Sequence, residues 1–197
     1  MDHRADGGPL IRAAGIAAVA FAAIALAAAC DRDPVDVPCP DVLPGDLVIT
    51  ELSTEWVEIY NASARTAELA GAALTLQSVM GGEPDRILIR SQDVTIAAGA
   101  YGVIGRTAAE FVDYVYGVDF DDELYENAQI RLEACGVEID AVVYWGLDDG
   151  GTIAYDGNLD PDAAGNDNAD VNDTESDWCV DTTGALGTPG ARNTACM

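Results

Sequence analysis

Residues 47–61, Leu47-Val48-Ile49-Thr50-Glu51-Leu52-Ser53-Thr54-Glu55-Trp56-Val57-Glu58-Ile59-Tyr60-Asn61, decide the fold. The short apolar runs from Leu47 to Leu52 and from Trp56 to Tyr60 have the composition and length of strands, whose period of two places successive side chains on opposite faces. Ser53-Thr54-Glu55 is compatible with a hairpin, and Asn61 ends the second run. In that second run Trp56, Glu58 and Tyr60 share one face and Val57 and Ile59 the other. We read the aromatic strip as packing, because aromatic rings are major core contributors; a carbohydrate or peptide platform is the alternative.

Working outward, further runs follow at short spacing, each closed by a turn residue. They are 73–79 before Gly81-Gly82, 87–89, 94–96 before Gly99, and 101–104 before Gly105. Two longer runs, 128–133 and 137–145, flank a Cys135-Gly136 turn. Many short strands separated by a few residues predict an all-β antiparallel sandwich or barrel. Residues 107–116 are the one expected helix, since Phe111, Tyr114 and Val115 fall at i, i+3 and i+4. The folded domain is expected over 46–197, with an acidic C-terminal loop region at 147–178 and a closing segment at 179–197.

Charge narrows the function classes. The chain carries 35 acidic residues against nine basic ones, all arginine, for a net charge of −26. Nucleic acid is not an expected partner, because binding a phosphate backbone requires clustered cations. The one histidine is His3, within the segment expected to be removed. A mature chain without histidine or lysine has no Ser-His-Asp or Cys-His catalysis, no histidine-ligated zinc and no Schiff-base lysine. Carboxylate chemistry survives, and Glu51 and Glu58, on adjacent expected strands, are its candidates. Solvation or hydrogen bonding to a loop backbone is the preferred reading of that pair, and no catalytic residue is assigned.

The first 29 residues read as a signal peptide. Arg4 and Arg12 supply a basic start, residues 13–29 are uncharged, and three alanines precede Cys30. This pattern resembles the lipobox of bacterial lipoproteins, with Ala27 where an aliphatic residue is usual and Leu26 one step further out. The resemblance implies cleavage before Cys30, lipidation of its sulfur, and an exported protein held at a membrane of the bacterial cell envelope. A plain secretory signal or an uncleaved anchor are the alternatives. Five cysteines are present. Lipidation uses Cys30 and leaves Cys39, Cys135, Cys179 and Cys196 to form two disulfides, for which Cys39 with Cys135 and Cys179 with Cys196 is the favoured pairing of three. Residues 30–45, with Pro34, Pro38, Pro40 and Pro44, read as a proline-rich stalk behind the lipidated cysteine.

Several stretches in order resemble a lamin-tail domain: Trp56-Val57-Glu58-Ile59-Tyr60-Asn61, then Leu69-Ala70-Gly71, then Ile96-Ala97-Ala98-Gly99-Ala100-Tyr101. Asp140-Ala141-Val142-Val143-Tyr144 and the ending Gly187-Thr188-Pro189-Gly190-Ala191-Arg192-Asn193 continue the series. The resemblance implies an immunoglobulin-like β-sandwich used as a noncatalytic interaction or adhesion module, with an envelope or extracellular protein or polysaccharide as partner. No cofactor is expected, calcium excepted. Asn166, Asn168 and Asp170 reproduce the opening alternation of an EF-hand loop and Asp177 stands at its twelfth position, although Val171 occupies the place of the glycine. A solvated acidic loop is the alternative reading of that stretch. The expected function is therefore a noncatalytic envelope lipoprotein, with a calcium-binding domain and a carboxylate-dependent hydrolase as alternatives.

Overall fold

The protein is described by a computed structural model over residues 37–117, 119–120, 122–161, 172, 175–181 and 187–196. Cys30 and the expected signal peptide lie outside these residues. Among these residues twelve strands follow in chain order: β1 (Leu47–Ser53), β2 (Trp56–Asn61), β3 (Ala67–Glu68), β4 (Ala72–Ser78), β5 (Asp85–Leu88) and β6 (Thr95–Ile96). The others are β7 (Tyr101–Gly105), β8 (Tyr114–Val115), β9 (Ala128–Ala134), β10 (Val137–Tyr144), β11 (Thr152–Tyr155) and β12 (Trp178–Asp181). One sheet runs β12-β11-β1-β2-β7-β8, the second runs β10-β9-β4-β5, and β3 with β6 forms a separate ribbon. Every pairing among the described strands is antiparallel except that of β7 with β8.

The two main sheets form a sandwich. Leu47, Ile49, Leu52, Val57 and Ile59 from the first pack with Leu74, Leu76, Ile130, Leu132 and Val142 from the second in one buried cluster. Each such side chain contributes about 1.5–3 kcal/mol on burial, so the alternation of 47–61 is the main local instruction for this architecture. The hairpin of β1 and β2 and the Cys135-Gly136 turn between β9 and β10 stand where the sequence places them.

Two expectations are corrected. Residues 107–116 form turns and then β8, which extends the first sheet beside the end of β7. Asp113 explains the choice: its N–H donates to Val103 O and its carboxylate accepts Val103 N–H, both at 2.9 Å, so it occupies the place of a neighbouring strand. Tyr114 Oη donates to Leu88 O at 3.0 Å, tying the segment across to β5. A short helix buries too little to compete, with Phe111 39 % exposed. The second correction concerns 147–178, which is not simply an acidic loop. It holds β11, buried throughout, and the start of β12.

The chain before β1 is fastened down from Val37 onward, so 37–45 is not a free part of a stalk. Cys39 is disulfide-bonded to Cys135 with Cα atoms 5.8 Å apart, and Cys179 to Cys196 with Cα atoms 5.5 Å apart. Gly45 N–H donates to Ile139 O at 2.9 Å, and Arg65 Nη2 donates to Asp41 O at 2.6 Å. Gly71 makes the close approach possible: at φ +91° a Cβ there would lie 1.9 Å from Pro38 O. Gly71→Ala is expected to lower stability by about 2–4 kcal/mol in urea unfolding, whereas Gly81→Ala, at similar φ but with nothing within 4 Å, should lose only about 1 kcal/mol. Equal losses would show that Pro38 does not press on Gly71.

Candidate functional site

Glu51 and Glu58 face each other across the β1–β2 hairpin, on the side of the sheet away from the sandwich core. The ladder shifts between Ile49 and Glu51. That bulge sets Thr50 as the extra residue, so that Thr50 and Glu51 together oppose Glu58. Thr50 Oγ1 donates to Glu58 Oε1 at 2.8 Å. Both glutamates are 0 % exposed, which overturns solvation as the reading of the pair.

The covering segment is 187–196. Thr188 N–H donates to Glu51 Oε2 at 3.0 Å and Gly190 N–H to Glu58 Oε2 at 2.7 Å. Asn193 Nδ2 donates to Thr50 O at 2.7 Å and Tyr155 O at 3.0 Å, joining the bulge to β11. Arg192 Nη2 donates to Leu159 O at 2.7 Å, and Cys196 N–H to Asp156 Oδ1 at 3.0 Å beside the disulfide to Cys179. Gly157 permits this docking, since a Cβ there would sit 1.9 Å from Asn193 O. The aromatic strip is covered as packing requires: Trp56 meets Phe111 edge-on at 6.0 Å and Tyr60 lies against Tyr101 at 4.9 Å.

Burial pushes Glu51 up to about 8 and Glu58 up to about 7. For Glu51 the Thr188 backbone N–H opposes burial and the Glu58 charge adds to it; for Glu58 the Thr50 hydroxyl and the Gly190 and Ala191 N–H groups oppose it. The desolvation of two neighbouring carboxylates outweighs their donors. The pair therefore retains protons near neutrality.

A second buried carboxylate links the sheets. Asp140, on β10, accepts Ile49 N–H at 2.6 Å, while Asn172 Nδ2 donates to Ile49 O at 2.8 Å and to Asp140 Oδ2 at 2.9 Å. The pairing of β11 with β1 covers Glu51 to Ser53, so these side chains stand in for strand partners at Ile49. Trp178 Nε1 donates to Asn172 O at 2.7 Å and its ring meets Tyr155 edge-on at 5.8 Å. Trp178 is thus fixed at the start of β12, close to the end of β10.

Between these edge strands lies a groove in two parts, of about 170 and 460 Å³. Val143, Trp145, Glu175 and Trp178 line both parts. Val143, Trp145 and Val180 are 44, 50 and 55 % exposed. Trp145 and Trp178 had no functional role in the sequence reading, and Asn172 entered it only as an oxygen donor of the acidic stretch weighed for calcium. The signal was present in the tryptophans flanking the expected 137–145 run and Cys179. Of the residues considered for calcium, Asp177 sits in a single 3₁₀ turn before β12, whereas Asn166, Asn168 and Asp170 lie outside the described residues. Among the described residues no group of three or more His, Cys, Asp or Glu is arranged to hold a metal. The chain matches no known family model and no curated protein.

The raised acid pair fixes the sign of a pH effect. Both folded values lie above the ordinary carboxylate value of 4.5, so the stabilisation is complete below 4.5 and is lost as pH rises through about 7 to 8. Exposed carboxylates are already ionised by about pH 6, so loss of melting temperature between about pH 6 and 8.5 reports the pair. Glu51→Gln is expected to flatten that slope, destabilising the protein at pH 5 and less so at pH 8.5. A variant with the parental slope would show that Glu51 does not carry it.

Proposed function

We propose that this protein is a noncatalytic recognition domain of the bacterial cell envelope, anchored through a lipid on Cys30 and presenting the Trp145–Trp178 groove to a partner. The observation that carries this reading is the groove itself: exposed aromatic and aliphatic side chains sit between two strand edges, on an otherwise strongly acidic chain. Large apolar side chains clustered in an open groove mark interaction surfaces. The order of the strand motifs supports a lamin-tail-like, immunoglobulin-like form of the sandwich. Burial of Glu51 and Glu58 beneath 187–196 favours a structural role for the pair over hydrolysis, since a glycosidic bond has to reach both carboxyl groups. Attachment in this reading falls to the N-terminal lipid; among the described residues no helix is long and apolar enough to cross a membrane.

Two measurements test the parts separately. Metabolic labelling with a radioactive fatty acid is expected to tag the parent protein and not Cys30→Ala, which should move to the aqueous fraction; an unlabelled parent overturns the anchor. A photocrosslinking residue at position 145 is expected to form adducts in the intact envelope that the same group at position 107 does not. Adducts at 107 alone, or at neither position, overturn the groove as the contact surface.

A further inference from the structure

The groove walls are chemically one-sided. Glu138 and Glu175 supply carboxylates and Trp145 and Trp178 supply indole rings, while among the described residues no arginine lines either part. Arg131 stands opposite Ala141 on β9 but outside the lining. Asn172, 1 % exposed, is also in the wall; its Nδ2 is committed to Ile49 and Asp140, and its buried Oδ1 has no hydrogen-bond partner among the described residues. The Trp178 N–H is already given to Asn172 O. Against the two carboxylates, the Gln129 amide and the Trp145 indole N–H are the side-chain donors among the described lining residues.

Such a wall selects a ligand that brings donors and positive charge. Ammonium and guanidinium groups do both and also stack on indole faces, at about 0.5–2 kcal/mol per contact. Sugar hydroxyls need donors as well as acceptors around them. Phosphates, anionic glycans and a second copy of this chain are repelled by a net charge of −26. The groove also runs beside β12, which among the described strands is the outermost of its sheet and pairs with β11 alone. An extended backbone can add to that edge while its side chains enter the groove.

We propose that the Trp145–Trp178 groove binds a basic polypeptide segment in extended form, its arginine or lysine side chains held between the indoles and the carboxylates of Glu138 and Glu175. This rests on the reading of the groove as the recognition surface. The test titrates the folded protein, at about 150 mM salt to screen nonspecific attraction, with a peptide alternating arginine and threonine, with spermidine, and with a neutral β-glucan oligosaccharide. Tryptophan fluorescence and calorimetry read the binding, and thermal melting checks that each variant is folded. The peptide is expected to bind, more tightly than spermidine, and to weaken about tenfold in Trp145→Ala and in Glu175→Gln, the latter about 1.4 kcal/mol for loss of one charged contact. Glu68→Gln, an exposed carboxylate on β3, should leave binding unchanged and so controls for overall charge.

Absence of peptide binding, or binding equally weakened by Glu68→Gln, overturns the proposal. Spermidine binding as tightly as the peptide overturns the polypeptide assignment. Oligosaccharide binding lost in Trp145→Ala, without peptide binding, overturns the cationic ligand while keeping the groove as a recognition surface. Failure of position 145 to crosslink in the envelope, by contrast, removes that surface itself.

Discussion

Two hydrogen bonds, from the Thr188 and Gly190 N–H groups to the buried carboxyl groups of Glu51 and Glu58, organise one whole side of this molecule. The glutamates lie on the central hairpin, at the bulge that breaks the β1–β2 ladder. Closing the chain over them brings Asn193 onto Thr50 and Tyr155 and sets Cys196 beside Asp156, where the disulfide reaches Cys179 on β12. The position of β12, and with it the Trp178 wall of the groove, follows from that closure. Loops of this kind contribute about 3–5 kcal/mol when cross-linked, so the covalent link and the buried acid pair reinforce each other.

Acidic side chains recur here as substitutes for strand partners. Asp113 pairs with the backbone of Val103, Asp140 with Ile49, and Asp119 accepts Leu88 N–H, each at a place where a sheet ladder is broken or ends. A carboxylate accepts two or more hydrogen bonds, so one side chain can satisfy a backbone donor and still bind an amide or guanidinium. Asp119 does this with Arg90, whose Nη1 lies 2.6 Å from its carboxylate. Part of the acid excess is therefore spent inside the fold. The remainder gives the surface its charge.

The hairpin of 47–61 and the long pair 128–134 and 137–144 were legible because each is local, set by alternation and a tight turn, whereas the disulfides were legible only as the favoured pairing of three, with Cys39 and Cys135 standing 96 residues apart. The misread elements depend on partners distant in sequence. A period-three pattern at Phe111, Tyr114 and Val115 looks helical until Asp113 finds Val103. Thr152-Ile153-Ala154-Tyr155 is too short to stand out among aspartates, yet becomes a strand because β1 offers it a register. The groove was invisible for the same reason, since Trp145, Asn172 and Trp178 are brought together only by the meeting of β10 and β12. Burial of Glu51 and Glu58 follows from a segment more than a hundred residues later, which nothing in the hairpin itself announces.

The closure over the acid pair is tested most directly by hydrogen exchange of the Thr188 and Gly190 amides, followed by NMR at pH 6. These N–H groups are expected to exchange as slowly as those of Leu74 and Ile130 in the core strands, because their release requires exposing two buried carboxyl groups. Exchange at the rate of the open turn at Gly81-Gly82 would contradict the account, leaving residues 187–196 undocked from the glutamates and the groove without its fixed wall.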